Sequence, residues 1–177
     1  MTGTHEQNRP NVGDPAPDFT LENGRRLSDL KGKTVLITFY PAAFSGIIPT
    51  ADPISNEAAK TALETKQRSM MMCSMQLTSL DETPSTSTHT IAPTIVKLAI
   101  SSAAPKLLNE WKNLLKTHDI DYSISQRYGS YDAAQGYNKR AVFIIDKKGK
   151  VAFVDDDYTM DDTEKIKQVL RTIDKQP

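Results

Sequence analysis

The sequence predicts an α/β fold in which helices cover both faces of a central mixed β-sheet. Three observations carry this. Segments 34–40 (TVLITFY), 95–100 (IVKLAI) and 139–146 (KRAVFIID) are short, strongly apolar and rich in β-branched residues, as in strands buried on both faces. Apolar stripes at helical spacing separate or follow them, with Leu107, Leu108, Trp111, Leu114 and Leu115 on one face and Ile166, Val169, Leu170 and Ile173 on another. Finally, 151–154 (VAFV) follows the third strand across a turn at Gly149, which adds an antiparallel pair and makes the sheet mixed.

In chain order, residues 1–11 are polar and expected to be mobile. Residues 12–22 (VGDPAPDFTLE) alternate turn residues with Phe19 and Leu21, and Pro15 and Pro17 hold this stretch extended and outside any sheet interior. Asn23-Gly24 signals a turn, Leu27 and Leu30 fit one short helical turn, and Gly32 ends it. The first strand, 34–40, stops at Pro41. Residues 52–77 combine alanines and methionines with Glu, Lys, Gln and Arg, a helical composition, and Asp52-Pro53 suits an N-cap and first position. Residues 80–94 (LDETPSTSTHTIAPT) are biased toward Thr, Ser and Pro and read as a loop. After the second strand, Pro105 opens a helix. A short strand is expected over 121–125 and a short helix over 131–137, ended by Gly136 or Asn138. A helix over about 161–174, with acids in its first turn, closes the chain. The 177 residues fit one domain, with burial of about 70% of the surface that the unfolded chain exposes.

Charge is balanced, 22 basic against 22 acidic residues, and no basic stripe gives a nucleic-acid role electrostatic support. No apolar run is long enough for a membrane span, and the first residues lack the basic and apolar regions of a secretory signal, so a cytoplasmic location is expected. Cys73 is the single cysteine, which excludes an internal disulfide or a cysteine-rich zinc site. His5, His89 and His118 are scattered without ligand spacing. No cofactor or metal is expected.

The segment that organises the chain is 34–50, TVLITFYPAAFSGIIPT. A buried strand that feeds a loop at a helix N-terminus is where α/β proteins place chemistry. Pro41 and Ser45 stand at the spacing Pro, three residues, Thr or Ser, two residues, Cys, which is the active-site motif of the peroxiredoxins (the alkyl hydroperoxide reductase and thiol-specific antioxidant family). The opening GDPAPDFTL, the LSDLKGK that follows, and KRAVFIIDKKGKV also resemble that family. The resemblance covers about residues 12–173, is weakest over 49–94, and marks 80–94 as an atypical Ser/Thr/Pro-rich insertion. It implies a thioredoxin-like three-layer fold.

The same resemblance implies the roles of a site. In the family a thiolate in the first helical turn attacks the peroxide, an Arg steadies its charge, a Thr or Ser hydroxyl orients the substrate, and a Pro shields the pocket. Pro41, Ser45 and Arg140 match the last three, with Arg140 at the start of the third strand. The cysteine position falls on Ile48, which has no ionisable or nucleophilic atom. The sequence therefore reads as a peroxiredoxin-like chain without its nucleophile: a non-catalytic scaffold or interaction protein, working as a homodimer or with a protein partner. Each residue also has a purely structural explanation. Pro41 ends a strand, Ser45-Gly46 makes a turn, Ile48 joins a core, and Arg140 pairs with a carboxylate such as Asp18 or Asp132.

Two other functions remain open. A working thiol peroxidase or oxidoreductase would use Cys73, 25 residues beyond Ile48, although Cys73 stands near a helix end, with Arg68 the nearest cation in sequence, and a buried inert thiol suits it better. Alternatively, Met70, Met71, Met72, Met75 and Cys73 supply soft sulfur suited to Cu(I), against their commoner use as flexible packing. The acids at 155–157, with Asp161 and Asp162, lack the spacing and glycine of a calcium loop.

Overall fold

The computed structural model describes residues 9–40, 95–101, 115–119 and 121–177. Strands β1 (Thr34–Phe39), β2 (Ile95–Ser101), β3 (Leu115–His118), β6 (Ala141–Ile145) and β7 (Val151–Asp155) form one sheet in the order β3-β2-β1-β6-β7. β1 is parallel to β2 and antiparallel to β6, β3 is parallel to β2, and β7 is antiparallel to β6. The sheet is therefore mixed. β4 (Tyr131–Asp132) and β5 (Tyr137–Asn138) make a separate small hairpin.

Every residue of β1 is buried, and alternation along the strand divides the core in two. Val35, Ile37 and Phe39 face Phe19, Leu27, Leu30, Tyr128 and Phe143, together with Ile124 of the short helix α1 (Ser123–Arg127). Leu36 faces the other way, with Val142, Ile144, Tyr158 and the Ile166, Leu170, Ile173 stripe of helix α2 (Thr163–Asp174). Helices thus cover opposite faces of the sheet, and the stripe in α2 is the one its 3.6-residue spacing predicts. Lys147 donates to the carbonyls of Asp174 (2.6 Å) and Gln176 (2.9 Å), placing a cation at the negative end of α2.

The proline-bearing segment straps the molecule. Gly13 N donates to Val151 O (2.8 Å), Val151 N to Asp14 O (2.9 Å), and Ala16 N to Gly149 O (3.0 Å). Further along, the Tyr128 hydroxyl donates to Pro17 O (2.8 Å) and Arg127 Nη1 to Asp18 O (2.6 Å). Burial pushes the Tyr128 phenol far above its ordinary range, so it stays protonated and donates. Leu27 and Leu30 form a 3-10 turn, as expected, and both are buried. Residues 9–11 are held too, through an Arg9–Asp156 ion pair and an Asn11–Asp14 turn.

Three sequence expectations are corrected. Residues 121–125 are not a strand: the buried Asp119 carboxylate accepts from Ile124 N (3.0 Å), Ser125 N (2.7 Å) and Ser125 Oγ, and this satisfies the free donors of a helical first turn. Residues 131–137 are not a helix: Asp132 accepts from Ala134 N (2.9 Å) and Gln135 N (3.2 Å), and Gly136 takes a φ of +75°, so the chain reverses into a hairpin. Leu115, expected on a helical stripe, begins β3. The expected helices over 52–77 and from Pro105 to 114, and the 80–94 insertion, lie outside the described residues.

Asp18 fastens the strap to the 3-10 turn. It accepts from Ser28 N (2.9 Å) and Ser28 Oγ (2.9 Å) and pairs with Arg26 (2.8 Å). Burial pulls its carboxyl up, but the Ser28 hydrogen bonds and the Arg26 charge outweigh that and hold it below the ordinary carboxylate value. A depressed folded-state pKa contributes stability that is complete above the unfolded value, about 3.9, and is lost as pH falls through the folded one. We therefore expect Asp18→Asn to lower stability by about 1 kcal/mol at neutral pH. The gap should be constant from about pH 5 to 8 and should close below about pH 4, as read from urea midpoints. A gap that persists unchanged at low pH contradicts this account.

Candidate functional site

The candidate site lies where β1 leaves the sheet. Phe39 is paired with Ala141 across the β1–β6 ladder. Tyr40, fully buried, follows Phe39, and Arg140 precedes Ala141, so antiparallel register brings Arg140 beside the exit of β1. Tyr40 N reaches Ile100 O (3.4 Å), which ties that exit to β2 as well. On the other side, Tyr158 N donates to Arg140 O (3.0 Å), and the Tyr158 hydroxyl meets Thr163 Oγ1 at 2.6 Å. Arg140 is partly buried. The two carboxylates suggested as its partners are both engaged elsewhere: Asp18 with Arg26 and Ser28, and Asp132 with its own turn.

Pro41, Ser45, Ile48 and Cys73 lie outside the described residues, as do the methionines at 70–72 and 75. The site is thus defined by its frame, namely the end of β1 and the Arg140 that register sets against it. A cation there suits an anion formed in the segment that β1 feeds, because a positive charge beside a thiol favours its thiolate.

Sequence reasoning missed two polar side chains near this end. Asn138 and Ser130 are buried, and neither the Asn138 amide oxygen and nitrogen nor the Ser130 hydroxyl makes a hydrogen bond among the described residues. They are neighbours, since Tyr131 pairs with Asn138 and Lys139 N donates to Ser130 O (2.7 Å). For Asn138 the available signal was position, two residues before Arg140, but nothing in the sequence indicates that either polar side chain will be fully buried.

The acids at 155–162 serve the fold. Asp156 pairs with Arg9, Asp155 accepts from Asp157 N (3.3 Å), and Asp162 accepts from Thr159 N (3.1 Å) and Thr159 Oγ1 (2.9 Å). The Thr159 hydrogen bonds hold Asp162 below the ordinary carboxylate range, while burial raises Asp155. Among the described residues no three acidic, histidine or cysteine side chains converge as metal ligands, and no helix is long and apolar enough to cross a membrane.

Comparison with known proteins agrees with this architecture. The family model described as Redoxin matches residues 11–170. Alkyl hydroperoxide reductase E of Mycobacterium tuberculosis is 28% identical over 158 residues, covering 82% of this chain and 84% of the relative. Peroxiredoxin-2 of Rattus norvegicus is 30% identical over 145 residues, 78% of this chain and 65% of the relative. In structure, the chain resembles peroxidoxin BcpB of M. tuberculosis (TM-score 0.57, 22% identity, 93% of this chain and 99% of that one). It also resembles M. tuberculosis AhpC (TM-score 0.56, 16% identity, 94% of each chain). At such identities the two structures speak for the thioredoxin-like fold of the peroxiredoxins.

The amide of Asn138, unpaired among the described residues, gives a direct test of its role. Because no hydrogen bond is lost, Asn138→Leu is expected to leave stability unchanged or raise it by up to about 2 kcal/mol. A fall of several kcal/mol in a denaturant titration contradicts this and indicates that the amide is bound to something in solution.

Proposed function

Because this chain belongs to the Redoxin family, we propose that it is a peroxiredoxin-like protein lacking the peroxidatic nucleophile, a non-catalytic scaffold or interaction protein. The observation that carries this reading is Ile48, which occupies the cysteine position of the motif begun by Pro41 and Ser45. Peroxide reduction needs a thiolate sulfur to attack one oxygen and release the other. A hydrocarbon side chain has no lone pair to offer, whatever cation stands near it. Register supports the rest of the frame, since Arg140 lies beside the exit of β1. The relatives' names, an alkyl hydroperoxide reductase and a peroxiredoxin, name the thiol chemistry for which Ile48 supplies no sulfur.

Partnership as a homodimer is the second part of the reading. On one side β7 pairs with β6; on the other, among the described residues, it carries only the Pro15–Lys150 bridge and the strap at Val151. An edge of this kind is a template for another strand, and a second copy of the chain would cover it.

Two measurements test these statements. With hydrogen peroxide and dithiothreitol, the protein is expected to consume peroxide no faster than buffer, while Ile48→Cys is expected to raise consumption at least about 10-fold by supplying a thiol at the motif's cysteine position. Turnover by the unaltered chain at about 1 per second or faster, the ordinary enzymatic range, defeats the reading, and its loss in Cys73→Ser would move the chemistry to Cys73. For assembly, sedimentation equilibrium should give twice the 19.6 kDa chain mass. A monomer persisting at about 100 μM, where even weak association of about −5 kcal/mol is populated, rejects the dimer.

A further inference from the structure

A cavity of about 310 Å³ opens at the end of the sheet opposite Arg140, among the strap, the 3-10 turn, the start of β1 and the β6–β7 hairpin. Its apolar wall comes from Leu27, Leu30, Val35 and Ile145, and its rim carries four lysines, Lys31, Lys33, Lys148 and Lys150. All four are exposed, and none is in an ion pair among the described residues. Two carboxylates also line the cavity, but both are occupied: Asp18 by Ser28 and Arg26, and Asp146 by Lys148 N (2.9 Å) and Lys150 N (2.9 Å). The stem of Lys31 lies close against Gly149, whose φ is +81°: a Cβ there would come within 3.3 Å of Lys31 Cε. By contrast, Lys147 of the same hairpin is turned away onto the end of α2.

Four lysines against two aspartates leave a formal surplus of two positive charges, in a chain whose total charge is zero. We propose that this cavity binds a small phosphate monoester bearing an apolar group. The second ionisation of a phosphate monoester, near pH 6, makes it about a dianion at neutral pH, which matches the surplus. The volume is at the small end of ligand pockets, roughly 300–1,000 Å³, and fits a phosphate with one ring or short chain against Leu27 and Ile145. The backbone amides of this rim are already used within its turns: Gly32 N by Lys147 O, Lys33 N by Leu30 O, and Gly149 N by Asp146 O. Recognition therefore falls to ammonium point charges, which attract without fixing direction. The length of β1, six residues at about 3.3 Å each, separates this cavity from Arg140 by roughly 20 Å, so the proposal stands apart from the reading of Ile48.

Titration of the full chain with phenyl phosphate, followed by calorimetry and amide NMR shifts, tests this. We expect saturable one-to-one binding with shifts concentrated at Gly32 and Gly149. Binding should be roughly 10-fold weaker in 0.5 M than in 0.05 M salt, since these exposed charges are screened within a few ångströms at high ionic strength. Inorganic phosphate should bind at least about 5-fold more weakly, lacking the apolar contact. Lys33→Glu/Lys148→Glu should abolish binding, Lys31→Ala/Lys150→Ala should weaken it, and Lys139→Glu, at the far end of the sheet, should leave it unchanged. Circular dichroism checks that each variant is folded. Phosphatidic acid vesicles form the second arm: association that depends on the same lysines places the phosphate in a lipid headgroup, and binding of phenyl phosphate alone places it in a soluble ester. No saturation by either probe up to about 10 mM, or equal loss in Lys139→Glu, overturns the proposal.

Discussion

The structure depends on one strand being covered on both faces. β1 exposes none of its six residues, and it is paired on both edges, to β2 and β6. Full burial of Leu36, Ile37 and Phe39 contributes about 1.5–3 kcal/mol each. Those three side chains alone are therefore comparable with the whole net stability of an ordinary domain, about 5–15 kcal/mol. A strand of this kind cannot be solvated, so something must pack above and below it. The strap, the 3-10 turn and α1 close one side, and α2 closes the other. The aromatic group of Phe19, Phe39, Tyr128 and Phe143, with centroids 5.1–6.0 Å apart in the contacting pairs, binds the strap to the sheet through ring contacts as well as hydrogen bonds.

From that constraint the geometry of the candidate site follows. Antiparallel pairing of β1 with β6 leaves no freedom about which residue stands beside the exit of β1. Once Phe39 faces Ala141, the neighbour is Arg140. Parallel pairing with β2 then fixes the other flank, through Tyr40 N and Ile100 O. The cation is thus delivered by register and not by a loop, and it would arrive whether or not a thiol were there to meet it.

Much of the fold was legible because burial writes directly into sequence. The apolar runs read as strands over 34–40, 95–100 and 139–146 form strands over 34–39, 95–101 and 141–145, and the stripe at Ile166, Leu170 and Ile173 lies on a helix as its spacing predicts. Two of the three misreadings share a cause. Residues 121–125 and 131–137 take their form from single carboxylates, Asp119 and Asp132, that accept backbone hydrogens. Neither periodicity nor propensity records which way one aspartate will point. The burial of Asn138 and Ser130 was illegible for the same reason, as was the cavity rimmed by Lys31, Lys33, Lys148 and Lys150, whose members come from two separate turns. Of the site itself, the spacing of Pro41, Ser45 and Ile48 was legible only as a motif, and Arg140 only as a strand start.

Retention of Arg140 is consequently weak ground for retained catalysis. Its carbonyl accepts from Tyr158 N, a bond that any residue could make, and its place beside the exit of β1 is a matter of register. What requires explanation is the guanidinium, which cannot shed its charge and is partly withdrawn from water. Such a group needs acceptors, and these can be structural as readily as catalytic. A nucleophile has no such substitute: peroxide reduction needs a thiolate sulfur, and the hydroxyl of Ser45 in the segment that β1 feeds does not replace one. The identity of residue 48 therefore bears on the proposed loss of peroxidase chemistry more directly than the frame around it does, and fold kinship with reductases does not by itself supply a function.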